Sequence, residues 1–148
     1  MSSAKVEVNG AKVGSIGAGV VVFLGIGRSD DSARARHLAA RVATLRIHED
    51  VNGRMNLDLA AAGGEALVVS QFTLYADTSR GHRPSFLDAA PPDVAEALYA
   101  AFCEALRERD LTVAEGSFGA HMNVTLANDG PVTIVLSSGE SPWSADAG

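Results

Sequence analysis

Two short segments of this 148-residue chain set polar backbone and small polar side chains directly against apolar runs. The first is Ser70-Gln71-Phe72-Thr73-Leu74-Tyr75-Ala76-Asp77, where a hydrophobic stretch opens into a loop. Its chemistry rests in the hydroxyls of Ser70 and Thr73. At the end of a buried strand such groups sit on a rigid scaffold, a common place for a binding or catalytic site. As a nucleophile Thr73 would be unactivated, because no base is evident beside it in the sequence. The plainer use is that both hydroxyls bond the backbone of an irregular strand end. The other segment is Asn128-Asp129-Gly130-Pro131-Val132-Thr133. By local physics it reads as an ordinary turn between strands. Only about 5–6% of X–Pro bonds are cis in folded proteins, so nothing local demands an unusual Gly130–Pro131 bond.

The remaining reactive residues argue mostly by absence. The sequence holds no HExxH, no CxxC, no Walker loop and no G-x-S-x-G elbow. His37, His48, His82 and His121 are scattered, and one cysteine with dispersed histidines does not assemble a zinc site. Neither a metal nor a cofactor is therefore expected. Cys103 has no partner for an internal disulfide and lies among alanines and leucine on a predicted helix, as a small buried hydrophobe would. A net charge of −6 argues against binding long stretches of nucleic acid, which takes many cations on phosphates. It leaves room for gripping only an end. Arg80, His82 and Arg83 would supply a local basic rim, or form an ordinary charged loop.

The elements that must position these residues follow from hydrophobic periodicity. Lys5 to Val8 alternates, turns at Asn9-Gly10 and continues through Val13, a strong hairpin signal. Val20 to Ile26 reads as a buried strand. Asp30-Asp31-Ser32 offers caps for a helix over 33–46, with Ala35, Leu38, Val42 and Leu45 on its apolar face. Asn52-Gly53 marks a second hairpin. A long strand is predicted over 65–75, a loop over 76–90, and a second helix from Pro91-Pro92 to about Arg109. Three more strands are predicted over 112–115, 122–127 and 132–136, and a loose tail over 137–148. The whole is one α+β domain with 47% hydrophobic residues. No stretch approaches the ~20 apolar residues of a membrane span, and no basic leader with an apolar core is visible. A cytoplasmic protein is expected.

The two segments together resemble the signatures of the D-aminoacyl-tRNA deacylase family, S-Q-F-T-L and N-x-G-P-V-T. Further landmarks agree: Leu45-Arg46-Ile47, Gly53-Arg54-Met55-Asn56-Leu57, Gly81-His82-Arg83-Pro84-Ser85-Phe86 and Phe118-Gly119-Ala120. The match runs over most of the chain. It implies a curved mixed sheet, closed or nearly closed into a barrel over 1–136, with two helices outside, and a homodimer. It implies hydrolysis of D-aminoacyl-tRNA, and of glycine mischarged on tRNA-Ala, with the acceptor end of the tRNA as partner. Ser70, Gln71, Phe72 and Thr73 would be the catalytic segment, with backbone N–H groups near Phe72 and Thr73 as an oxyanion hole. Gly130 and Pro131, joined by a cis bond, would reach the neighbouring subunit's pocket and exclude L side chains. Phe118 and Met122 would line the pocket for substrate and terminal adenosine. The runner-up is a non-catalytic tRNA- or nucleic-acid-binding dimer of the same fold.

One departure stands out. The family usually begins with another strand, ending in Gln-Arg-Val, upstream of the segment that matches Ser3-Ala4-Lys5-Val6. Here Met1 falls where that valine would stand. The expectation is that this first strand is absent and that the natural protein is longer.

Overall fold

The computed structural model describes residues 1–138. The tail predicted from 137 onward, with Trp143, lies outside the described residues apart from Ser137 and Ser138.

Strand β6 (Glu65–Ser70) is the element the others assemble around. Its Ala66-Leu67-Val68-Val69 run is at most 2% exposed. A strand with no polar face is one covered on both sides. It forms the middle of a parallel sheet between β3 (Gly19–Leu24) and β7 (Val113–Glu115). Parallel neighbours cannot be joined by a tight turn and need long crossovers. Helix α1 (Ser32–Thr44) and the small hairpin of β4 (His48–Glu49) and β5 (Met55–Leu57) lie in the first crossover. Helix α2 (Pro92–Arg107) lies in the second.

Alternation along β6 separates two cores. Ala66 and Val68 face the helices, in a cluster with Leu98, Phe102, Cys103 and Leu106. Leu67 and Val69 face a second, antiparallel sheet of order β2-β1-β8, in a cluster with Ala4, Val6 and Ile16. That sheet comprises β1 (Ser3–Val8), β2 (Ala11–Ile16) and β8 (Asn123–Ala127). The result is three layers: two helices, a parallel sheet and an antiparallel sheet. The predicted α+β domain with mixed strands and two flanking helices is what forms. Six of its strands make two stacked sheets and β4-β5 a separate hairpin, and their ladders do not close into a barrel among the described residues.

Local signals explain most boundaries. Asn9 (φ 51°) and Gly10 (φ 80°) take the paired positive angles of the two-residue hairpin turn. Asp31 caps α1, its carboxylate accepting the Arg34 N–H at 2.8 Å. Pro92 opens α2, with Asp93 in its first turn. The buried line of α1 is Ala35, Ala39 and Ala43, spaced by four, with Leu38 and Val42 half-buried beside it. The predicted apolar face, with Ala35, Leu38 and Val42, does turn to the core, and Ala39 and Ala43 extend it.

Two sequence expectations fail here. The strand predicted over 65–75 stops at Ser70, and Phe72–Tyr75 forms a 3₁₀ turn. The apolar alternation of Phe72 and Leu74 mimics a strand, but the ladder ends where the Gln71 N–H meets the Leu24 carbonyl at 2.8 Å. The segment 132–136 was also expected as a strand. It forms no ladder, because no strand lies beside it among the described residues.

Phe102 is fully buried where α2 meets β6. Phe102→Ala is expected to cost about 3–5 kcal/mol, a large share of the stability of a domain this size. Urea unfolding measures it, and a loss below about 1 kcal/mol would place Phe102 outside the core.

Candidate active site

The chain leaves β6 at Ser70 and turns at once. Gln71 has φ −142° and ψ 79°, off the strand and helix regions, and the turn Phe72–Tyr75 follows. Two hydrogen bonds brace it: the Leu74 N–H to the Gln71 carbonyl at 3.3 Å and the Ala76 N–H to the Thr73 carbonyl at 3.1 Å. The first residues of any helical turn keep their N–H groups unpaired. Accordingly the Phe72 and Thr73 N–H groups donate no hydrogen bond among the described residues. Both residues are exposed and stand just past the C-terminal end of a buried strand.

Side chains frame the turn. The Gln71 amide donates to the Thr73 hydroxyl. An amide donor gives that oxygen no base to take its proton. Phe72 is 59% exposed and meets Phe86 edge to face, ring centroids 5.0 Å apart. Phe86 belongs to the return of the 76–90 loop, held by the Asp77–Ser85 bridge, whose N–H···O distances are 2.7 and 2.9 Å. Arg80, His82 and Arg83 are exposed on that loop. The Asp77 carboxyl is held below its ordinary range by the Ser79 hydroxyl and N–H.

The β3–α1 loop closes the other side. Gln71, Leu74 and Tyr75 lie so near Gly25 that a Cβ there would come within 3.1–3.3 Å of them. At Gly27 a Cβ would come within 2.7–2.9 Å of the Tyr75 ring and hydroxyl. Tyr75 is 8% exposed, and its hydroxyl donates to Asp30 Oδ2 at 3.5 Å. The same oxygen accepts the Gly27 N–H at 2.8 Å. Burial, with the Asp30 carboxylate next in effect, pushes the Tyr75 phenol up to about 12. Sequence reasoning missed this contact, which joins residues 45 positions apart. Its only trace is a Gly-x-Gly pair small enough to admit an aromatic ring.

Phe118 and Met122 sit on the loop after β7, on opposite faces of β6. Phe118 packs against Tyr99 at 6.0 Å and joins the helix-side core. Met122 joins the other core, and its sulfur accepts the Ser117 N–H at 3.4 Å. The Tyr99 hydroxyl donates to the Val68 carbonyl at 2.6 Å, two residues before Ser70.

The Asn128–Thr133 turn stands apart. Asn128 spans it, its amide N–H donating to the Thr133 hydroxyl at 3.1 Å and its oxygen accepting the Val132 N–H at 3.4 Å. The Gly130–Pro131 bond is cis, and both residues are exposed. No hydrogen bond joins this turn to Ser70–Thr73 among the described residues. Those residues also contain no group of three or more His, Cys, Asp or Glu able to hold a metal. None of their helices is long and apolar enough to cross a membrane.

Comparison with known proteins agrees along nearly the whole chain. The family described as D-Tyr-tRNA(Tyr) deacylase matches residues 1–137. The D-aminoacyl-tRNA deacylase of Thermomicrobium roseum is 55% identical over 140 residues, covering 95% of this chain and 91% of that one. The D-aminoacyl-tRNA deacylase of Thermosipho africanus is 50% identical over 138 residues, 93% of each. A solved structure, the c-Myc DNA Unwinding Element Binding Protein, superposes with a TM-score of 0.87 at 38% identity, covering 94% of this chain and 95% of that one. The chain belongs to the D-Tyr-tRNA(Tyr) deacylase family.

Proposed function

We propose that the protein hydrolyses the ester bond of D-aminoacyl-tRNA, releasing free amino acid and tRNA. The observation that carries this reading is the Ser70–Thr73 turn, with the unpaired N–H groups of Phe72 and Thr73 opening at the end of β6. An aminoacyl ester is already activated, so the site needs chiefly to orient it and stabilise one oxyanion. Those two N–H groups receive the charge as water attacks the carbonyl. The ester C–O bond then breaks and the ribose oxygen takes a proton. The vicinal ribose hydroxyl assists that proton traffic. Thr73 is not needed as a nucleophile, because its hydroxyl faces an amide donor and not a base. Phe118 and Met122, packed on opposite faces of β6, would border the substrate and terminal adenosine from separate sides. The basic rim of Arg80, His82 and Arg83 suits the tRNA end. The reaction uses no metal and no cofactor.

Selectivity belongs to Gly130 and Pro131 of a second subunit in a symmetric homodimer. Their carbonyls accept no hydrogen bond among the described residues, so they are available to a substrate ammonium group. Backbone placed this way rejects L-substrates by exclusion and lets glycine through, including glycine mischarged on tRNA-Ala. The name of the solved neighbour favours a second reading, a non-catalytic tRNA- or nucleic-acid-binding dimer. The net charge of −6 weighs against duplex binding.

Deacylation of D-Tyr-tRNA, with L-Tyr-tRNA spared and the rate unchanged by EDTA, is the expected result. Binding without turnover would favour the second reading, and loss on chelation restored by zinc would overturn the metal-free mechanism. Thr73→Ala should lower kcat by about tenfold or less, far short of the ~10⁶-fold cost of removing a nucleophile. A complete loss in a folded, tRNA-binding variant would make Thr73 the nucleophile. Gly130 has φ 146°, a region L side chains rarely adopt. Gly130→Val should therefore misplace its carbonyl and cut D-substrate turnover by roughly 10²-fold in a species that sediments as a dimer. Normal turnover in that variant, or a fully active monomer, would defeat the cross-subunit model.

A further inference from the structure

We propose that Asp30 and Tyr75 act as one positioning latch, fixing the turn that carries Phe72 and Thr73 against the β3–α1 loop. The inference rests on the deacylase reading of that turn.

The turn's own hydrogen bonds fix its shape but do not tie it to the β3–α1 loop. It begins where the β3–β6 ladder has ended, and Gln71 makes no side-chain cap for it. Phe72 and Thr73 are exposed, so no burial fixes them. Tyr75, at the far end, is the one buried residue of the four. Its ring occupies the space that the missing side chains of Gly25 and Gly27 leave. Its hydroxyl and the Gly27 N–H converge on a single oxygen, Asp30 Oδ2. Asp30 is fixed in turn. Its N–H donates to the Gly27 carbonyl at 3.2 Å, and its other oxygen lies 3.6 Å from Arg34 Nη1, one turn into α1. The path therefore runs from a rigid helix through one carboxylate to the ring that ends the turn. The same loop is bound to the 85–90 segment, through the Arg28 N–H to the Asp88 carbonyl at 3.2 Å and the Ala90 N–H to the Ile26 carbonyl at 2.9 Å. Both walls of the site thus share one anchor.

Neither residue is catalytic on this view, since neither reaches the reacting atoms. Their effect is on the angle at which two N–H groups meet a developing charge. Catalytic donors matter through preorganisation, so a small rotation is felt in kcat before it is felt in binding.

Tyr75→Phe keeps the ring and removes only the hydroxyl. Asp30→Asn keeps size and one acceptor. Each is expected to lower kcat on D-Tyr-tRNA about three- to tenfold, with KM within twofold. The double variant should be no worse than the weaker of the two singles, because each breaks the same unit. Amide hydrogen exchange over 71–77 should quicken in both singles, with α2 unchanged. A purely structural role would instead lower the melting temperature and leave kcat per folded molecule as it was. Wild-type kcat in Tyr75→Phe, or singles whose effects multiply in the double, overturns the latch while the deacylase reading stands. If the wild-type protein shows no deacylation, that reading fails, and the exchange comparison alone decides the latch. Unaltered exchange over 71–77 then refutes it.

Discussion

The Val68 carbonyl accepts two hydrogen bonds, one from the Tyr99 hydroxyl on α2 and one from the Gly116 N–H just past β7. It lies in a strand with no solvent-facing side, so its acceptor capacity must be met from within. Helix, central strand and the loop bearing Phe118 thereby meet at one atom. Two residues further on, β6 ends and the site begins. A strand held on both faces and by its own carbonyl cannot slide, because a one-residue slip would exchange its two cores. The position of Ser70 is therefore set by the packing of Ala66 to Val69. The turn proposed as the site inherits its placement from residues that do no chemistry.

Much of this was legible in the residues. Asn9-Gly10 and Asn52-Gly53 marked both hairpins, Asp31 and Pro92 marked both helix starts, and the apolar run before Ser70 marked a buried strand. The failures have a common cause, which is that local pattern does not carry tertiary demand. Phe72 and Leu74 alternate like a strand, yet the turn forms because Tyr75 finds a slot at Gly25 and Gly27, far away in sequence. Residues 132–136 have strand composition, but a ladder is a relation between two segments and a sequence window sees only one. The two signature segments were legible as motifs. The Asp30 contact was not, for it joins two motifs that a linear reading keeps apart.

The site divides labour between backbone and side chains. On the proposed reading its donors are main-chain N–H groups at the Phe72–Tyr75 turn and its acceptors are the carbonyls of a second subunit's Gly-Pro pair, so most of what would touch a substrate is invariant to side-chain identity. Side chains hold that backbone in place: Gln71 on Thr73, Asn128 across its own turn, Tyr75 in its slot. Substitutions at such positions alter geometry without removing a reactive group. Their signature is graded loss of rate rather than abolition.

The chain has two tyrosines and one cysteine, and all three are buried on the helix-side half of the molecule or beside it. Burial drives each hydroxyl or thiol upward from its ordinary range of about 10 or 9, with Tyr75 and Cys103 reaching about 12 and Tyr99 shifted in the same direction. The folded protein therefore retains protons that the unfolded chain surrenders above pH 9 to 10. Over that alkaline window each group withdraws stability at about 1.4 kcal/mol per pH unit until its folded ionisation is passed. Ionisation is thereby linked to unfolding. In base, below the folded ionisation of each tyrosine, the ultraviolet phenolate signal thus rises with loss of structure.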